Sequence, residues 1–368
     1  MINPNLNYQV GQQVYADKFQ AASEAWRTKQ EVHFNLFDTV FDRTDWNQEP
    51  KLSWDTLLDM RAAQIASKNR PIVLHFSGGT DSYTIYRVFE RNRIHLSALI
   101  FNFRDDPEYQ SMYSMVHKFL QQGIYDPHCQ IIFDNYDRSD TFDTLYNDSD
   151  WSWTTQERHS FAFYSGLGNG DEVLCERFGK EVISVLGTDK PRLRFAEDGV
   201  YSYQDDHPWL RHIKNSRLES FYITDELPEL HVKQSWMLKR HLQQKYVIDK
   251  SCADLIWLSA QSDPNKFDWQ EYAAACGRFG DLANSQLQHV GNTGIRMYIP
   301  PSGSIQDAVY TGRAKKIFDK LKSTDTLGHF VTGLLAAATD GAGQYLGLNT
   351  DNLLYVRSLY SKGHRMPW

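Results

Sequence analysis

The sequence has no apolar run long enough to span a bilayer. Its most apolar stretch near the end, residues 330–338, is broken by Thr332 and Gly333 and falls far short of the roughly 20 residues a membrane helix needs. The start, Met1-Ile2-Asn3-Pro4-Asn5, lacks the basic residues and apolar core of a secretory signal, so a cytoplasmic setting is expected. Cysteine is scarce: the four present, Cys129, Cys175, Cys252 and Cys276, form no Cys-x-x-Cys pair. That spacing argues against a zinc ribbon, an iron-sulfur cluster or a redox dithiol, and each is expected to act as a small buried hydrophobe. None of the 13 histidines stands in a His-Glu-x-x-His or comparable metal pattern. Positive charge is not in excess either: the formal net charge is −7, so the overall field repels a polyanion and any nucleic-acid site has to be a local patch. No low-complexity tract, internal repeat or flexible linker interrupts the chain.

What is present suits an ordered globular protein. With 368 residues, 41% hydrophobic, 14% aromatic and 23% charged, the chain is long enough for two domains, or for one large core with helical extensions. Residues 1–70 read as a helical N-terminal extension. One helix is expected over residues 13–29, with Val14, Phe19 and Ala22 at helical spacing. A second is expected over 53–67, with Ser53 as N-cap, Trp54, Leu57, Leu58 and Ala62 as the apolar stripe, and Asn69-Arg70-Pro71 as the stop.

From Pro71 short apolar runs alternate with helix-length amphipathic stretches, the pattern of strands joined by crossover helices. Strands are expected at 72–76, 96–103, 129–133 and 182–186, and helices at 80–92, 112–122 and 172–179. Right-handed crossovers place these strands in one parallel sheet, with ligands at their carboxyl ends. The fold class is therefore α/β, a doubly wound, mostly parallel sheet over residues 71–225. Residues 226–368 read as mainly helical, with candidates at 233–244, 269–276, 305–321 and 327–338.

The first strand runs into Ser77-Gly78-Gly79-Thr80-Asp81-Ser82 and then into a helix. Two glycines there leave main-chain amides free to approach a ligand, and the helix behind them contributes the positive end of its dipole. Such a turn suits phosphate. It is not a Walker A loop, because Gly-x-x-x-x-Gly-Lys-Ser/Thr occurs nowhere and no lysine follows the glycines. Asp81 beside a polyphosphate is repulsive unless a cation lies between them, which points to magnesium. The bland alternative is a glycine turn in which Asp81 and Ser82 only cap a helix.

At these residues the chain resembles the PP-loop ATP pyrophosphatases, whose signature is Ser-Gly-Gly-x-Asp-Ser after the first strand. That superfamily includes asparagine, NAD and GMP synthetases, 7-cyano-7-deazaguanine synthase, tRNA-thiolating enzymes and adenylylsulfate reductases. The resemblance covers roughly residues 71–194, about a third of the chain. It implies an adenine nucleotide alpha hydrolase-like fold, cleavage of ATP between the α and β phosphates, and ATP with magnesium as cofactors. It also implies that Ser77, Gly78, Gly79, Thr80, Asp81 and Ser82 surround pyrophosphate. Phe101 and Asn102, at the end of the second strand, stand where the family commonly contacts adenine; ordinary strand core is the competing reading. Gly187-Thr188-Asp189-Lys190 is similar to the Gly-Thr turn after the corresponding strand in NAD and GMP synthetases. This makes Gly187 and Thr188 further nucleotide contacts and Asp189 the second candidate magnesium ligand beside Asp81. Lys190, Arg192 and Arg194 could neutralise charge on the leaving pyrophosphate, or form a solvated basic loop. Asp81, Lys190 and Arg192 are the candidate catalytic residues.

Other signals are weaker. Gly166-Leu167-Gly168-Asn169-Gly170 follows a helical stretch and reads as a helix-to-helix turn. Residues 221–230 are either a substrate-side segment or an aromatic anchor between domains. Arg211, His212, Lys214 and Arg217, with Lys239, Arg240, His241 and Lys245, form two basic clusters near aromatics; nucleic acid is a conceivable but disfavoured partner. The second residue is isoleucine, not the cysteine that glutamine-dependent asparagine synthetases use, and neither paired cysteines nor a cysteine-rich tail favours sulfur chemistry. The expectation is an adenylating ligase that activates a carboxylate or carbonyl of a small-molecule acceptor for attack by an amine, without its own glutaminase domain. A tRNA or nucleobase modification enzyme and a non-catalytic nucleotide-binding protein stay open. The acceptor and the oligomeric state are not legible.

Overall fold

The computed structural model describes residues 5–16, 18–76, 80–103, 119–135, 170–179, 181–187, 191–196, 198–204, 206, 217–246 and 361–368. The expected helices at 269–276, 305–321 and 327–338 lie outside these residues, as does most of the one at 112–122.

The chain opens with strands, not with a helix. β1 (Leu6–Val10) pairs antiparallel with β2 (Gln13–Tyr15), and after helix α1 (Lys18–Thr28) β3 (Val32–Leu36) pairs with the other side of β1. Gly11, at φ +58°, makes the two-residue turn between β1 and β2, a conformation few side chains tolerate. This corrects the helix expected over residues 13–29. Val14 sits exposed on β2, whereas Phe19 and Ala22 are buried on α1. The three residues never share a helical face, because strand pairing at Gly11 claims residues 13–15 first. The N-terminal segment is consequently a small antiparallel sheet with helices rather than a helical extension.

After the short α2 (Asp38–Phe41), helix α3 (Trp54–Ser67) begins where expected. Ser53 has extended backbone, and its side chain accepts a hydrogen bond from the Thr56 amide. Asn69 takes the left-handed backbone just beyond the helix, and Pro71 bars continuation. The chain then lays down β4 (Ile72–His75), α4 (Thr80–Arg91), β5 (Ala98–Phe103), β6 (Gln130–Asn135), α5 (Gly170–Phe178), β7 (Ile183–Leu186), β8 (Arg192–Ala196), β9 (Gly199–Tyr203), β10 (Leu218–Ser220), α6 (Pro228–Tyr246) and β11 (His364–Met366).

Five of these strands form one parallel sheet in the order β10-β7-β4-β5-β6, with β4 central. Strands buried on both faces are apolar almost throughout, which is why the sequence runs read so clearly. Ile72, Leu74, Leu99, Phe101, Ile183 and Val185 pack with α3 and α4, while Val73, Ala98 and Ile100 pack with Leu174 of α5. The architecture is α/β, with helices against a parallel sheet. A third sheet, antiparallel β11-β9-β8, joins residues 364–366 to β9. Among the described residues no helix is long and apolar enough to cross a membrane.

Two side-chain clusters join distant elements. Arg61 of α3 is fully buried and donates to Glu226 (2.8 Å), Glu219 (2.6 Å) and the Ser220 carbonyl (2.8 Å). Lys68 pairs with both glutamates. Burial alone would raise the Glu226 carboxyl, but Lys68 and Arg61 outweigh it and hold the pKa below its ordinary value. Removing one member of a buried ion network leaves uncompensated charge, so Arg61→Ala should cost about 3 kcal/mol, read as a lower midpoint in urea unfolding.

In the second cluster, His364 stacks on Trp46 (4.6 Å between centroids, 6° between planes), and His231 and Phe41 close the same cluster. Burial pushes His231 down to about 3 and His364 down to about 4, although Asp42 and Asp38 partly oppose the second shift. Both imidazoles take protons more readily in the unfolded chain, where the ordinary value is 6.5. Their contribution to stability is therefore intact above that pH and declines as pH falls from about 6.5 toward 4. Unfolding curves across this range should show the decline, and the double variant His231→Phe/His364→Phe should flatten it relative to the native chain.

Candidate functional site

Of the signature turn, Ser77, Gly78 and Gly79 lie outside the described residues, so the site is built from its two flanks. Upstream, the Phe76 amide donates to the Ile100 carbonyl at 2.8 Å. The Phe76 ring is buried against Phe101 (5.3 Å) and Phe119 (4.8 Å). This apolar seat fixes where β4 ends. His75, one residue earlier, is fully buried and pushed down to about 3, so its imidazole is neutral at ordinary pH.

Downstream, Thr80 heads α4, Asp81 is half-buried and Ser82 is buried. An acidic residue in the first turn complements the helix dipole, as a cap would. The same first turn receives two segments from distant parts of the chain. Gly187, directly after β7, comes so close that an added Cβ would lie 2.6 Å from Ile85 Cδ1, 3.3 Å from the Ser82 amide nitrogen and 3.4 Å from the Asp81 carbonyl carbon. From beyond β10, the Tyr222 hydroxyl donates to the Asp81 carbonyl oxygen at 3.0 Å.

The structure thus brings together Asp81, Ser82 and Gly187 at the carboxyl ends of β4 and β7. These are neighbouring strands, and the next strands of the sheet are added toward opposite edges, β5 beside β4 and β10 beside β7, the strand-order reversal at which ligand crevices form in open α/β sheets. Thr188, Asp189 and Lys190 follow Gly187 directly but lie outside the described residues. Arg192 and Arg194 stand on β8, opposite Tyr203 and Tyr201, and not in a solvated loop. Phe101 is fully buried with its ring between Phe76 and Phe133, so its side chain is core and offers no face to a base. Asn102 is the next residue on β5, in register with Asp134 of β6.

Tyr222 is the contact that pattern reading missed. Residues 221–230 carried an open choice between substrate segment and aromatic anchor, and the rings of Phe221 and Tyr222 are indeed anchored in the main core. The hydroxyl of Tyr222 nevertheless ends on the predicted site. The aromatic pair Phe221-Tyr222 was the sequence signal for it.

Of the second basic cluster, the side chains of Lys239 and Arg240 are described, and those of His241 and Lys245 are not. Lys239 is buried, lies over the Trp236 ring and donates to the Pro367 carbonyl, while Arg240 pairs with Glu49. Of the first cluster, Arg211, His212 and Lys214 lie outside the described residues, as does the Gly166 turn apart from Gly170, which begins α5. Among the described residues no group of three or more His, Cys, Asp and Glu side chains could hold a metal; Asp189, the proposed companion of Asp81, is not among them. A cleft of about 540 Å³ lined by Arg43, Asp45, Lys51 and Glu229 shares no residue with this site.

No protein-family model matches the chain, and none of the curated proteins matches it in sequence.

Because Ile85 is buried and Gly187 presses on backbone, Gly187→Ala overfills a packed junction. It should destabilise by about 1–3 kcal/mol, measured by chemical denaturation. Unchanged stability would mean that the two segments do not meet as described.

Proposed function

We propose that the chain is an ATP pyrophosphatase of the PP-loop kind, an AMP-forming ligase with a doubly wound, adenine nucleotide alpha hydrolase-like core. The observation that carries the reading is the close approach of Gly187 to the Asp81–Ser82 turn. It puts the start of the second predicted nucleotide turn against the end of the first. The strand order, reversing between β4 and β7, supports the same reading.

In this scheme the amides and hydroxyls of residues 77–82 hold the β and γ phosphates, helped by the amino end of α4. Asp81, half-buried at that end, fits a magnesium ion, and Asp189 would be its companion ligand. The metal would neutralise phosphate charge. A carboxylate or carbonyl oxygen of a small-molecule acceptor attacks the α phosphorus. The bond to the α,β-bridging oxygen breaks, and pyrophosphate leaves with the electron pair. Lys190 and Arg192 would offset the charge that collects on it. An amine then adds at the activated carbon, its nitrogen gives up a proton to solvent, and AMP departs with the oxygen that bridged it to that carbon. Alignment supplies most of the acceleration, since in-line attack needs positioning more than proton transfer.

Pyrophosphate release from ATP, assayed against panels of carboxylates and amines and against bulk tRNA, tests the proposal. The native chain should release pyrophosphate with at least one carboxylate and amine pair. Asp81→Asn should lower kcat by about 100-fold or more with the fold retained. Release only with tRNA would move the reading to nucleobase modification; full activity of Asp81→Asn would remove the metal role.

A further inference from the structure

Tyr222 follows β10, an edge strand of the five-stranded sheet, yet its hydroxyl crosses to the helix behind the central strand. The ring is fully buried, stacked on Trp54 (6.2 Å, 4° between planes) and edge-on to Phe221 (5.3 Å). Phenylalanine would fill that space equally well. The hydroxyl adds a desolvation cost that only good partners offset, and it has two: it donates to the Asp81 carbonyl and accepts from the Thr84 side chain. Burial raises its pKa well above the ordinary value, so it stays a protonated donor.

The segment that carries Tyr222 is itself braced. Arg61 holds the Ser220 carbonyl and Glu226, the Ser220 hydroxyl accepts from the Ile223 amide, and the Thr224 hydroxyl accepts from the Glu226 amide. A rigid arm therefore ends on the first turn of α4. Helix ends fray first, because their terminal groups lack partners within the helix. A turn whose amides and carboxylate must face phosphate in one orientation gains most from outside support.

We propose that Tyr222 is a positioning residue for the ATP site, clamping the first turn of α4 so that Asp81 and the leading amides keep a single orientation toward the phosphates. The proposal rests on the ATP reading of the turn. Tyr222→Phe in the full chain removes the clamp and keeps the packing. Without nucleotide, amide hydrogen exchange at residues 81–85 should quicken about tenfold, with the unfolding midpoint nearly unchanged. In pyrophosphate release, kcat should fall about tenfold while the KM for ATP stays within about twofold. If Tyr222→Phe fails to fold, Thr84→Val, which deletes the hydroxyl donating to the phenol, takes the same two measurements. Unaltered exchange in the folded variant, or a raised KM with kcat intact, overturns the clamp. A native chain that releases no pyrophosphate overturns the ATP reading and the clamp's catalytic purpose together. Native turnover with an unaffected variant overturns the role of Tyr222 alone.

Discussion

Everything near the candidate site depends on β4 being hydrogen-bonded on both sides, to β5 along one edge and to β7 along the other. Parallel pairing fixes direction as well as position, so the carboxyl ends of β4 and β7 open on the same side of the sheet. Gly187, directly after β7, then meets the first turn of α4. Gly187 can lie against the first turn of α4 only because no side chain separates them, and this contact turns two sequence motifs into one place. If β4 were an edge strand, the same motifs would be unrelated turns.

A second layer of support comes from groups that do no chemistry. Arg61 sits in the middle of α3 and could have been an ordinary surface residue of an amphipathic helix. Instead it is buried and fastens the segment after β10 through two glutamates and a carbonyl. That segment delivers Tyr222 to Asp81. Trp46, His231 and His364 draw the last residues of the sequence onto the N-terminal segment and α6. Both clusters are expensive to bury, and each joins elements that local hydrogen bonding would leave independent.

Much of the parallel sheet was legible because its strands are continuous apolar runs and its helices have clear stops. Ser53 as N-cap, Asn69-Arg70-Pro71 as terminator, and the runs around Val73, Leu99 and Val185 all lie where the pattern implies. The beginning of the chain was not legible for a definite reason. Val14, Phe19 and Ala22 satisfy a helical spacing, but Val14 belongs to a hairpin whose other strand is set by a turn at Gly11. Local periodicity holds no information about that pairing. Arg192 and Arg194 illustrate the same limit: their own pattern left a charge-neutralising role and a basic loop both open, and the strand they stand on exists through pairing with β9.

The sequence by itself determined the local units: which stretches bury two faces, where helices start and stop, and that a glycine pair stands between a strand and a helix. These follow from short-range sterics and solvation, which neighbours a few residues apart decide. Only the tertiary structure decided that Asp81 meets Tyr222 across 141 residues of chain, and Arg61 meets Glu219 and Glu226 across 158 and 165. Contacts of that span come from sheet order and helix packing, where each partner is chosen by the whole fold and leaves no periodic trace in the residues that make it.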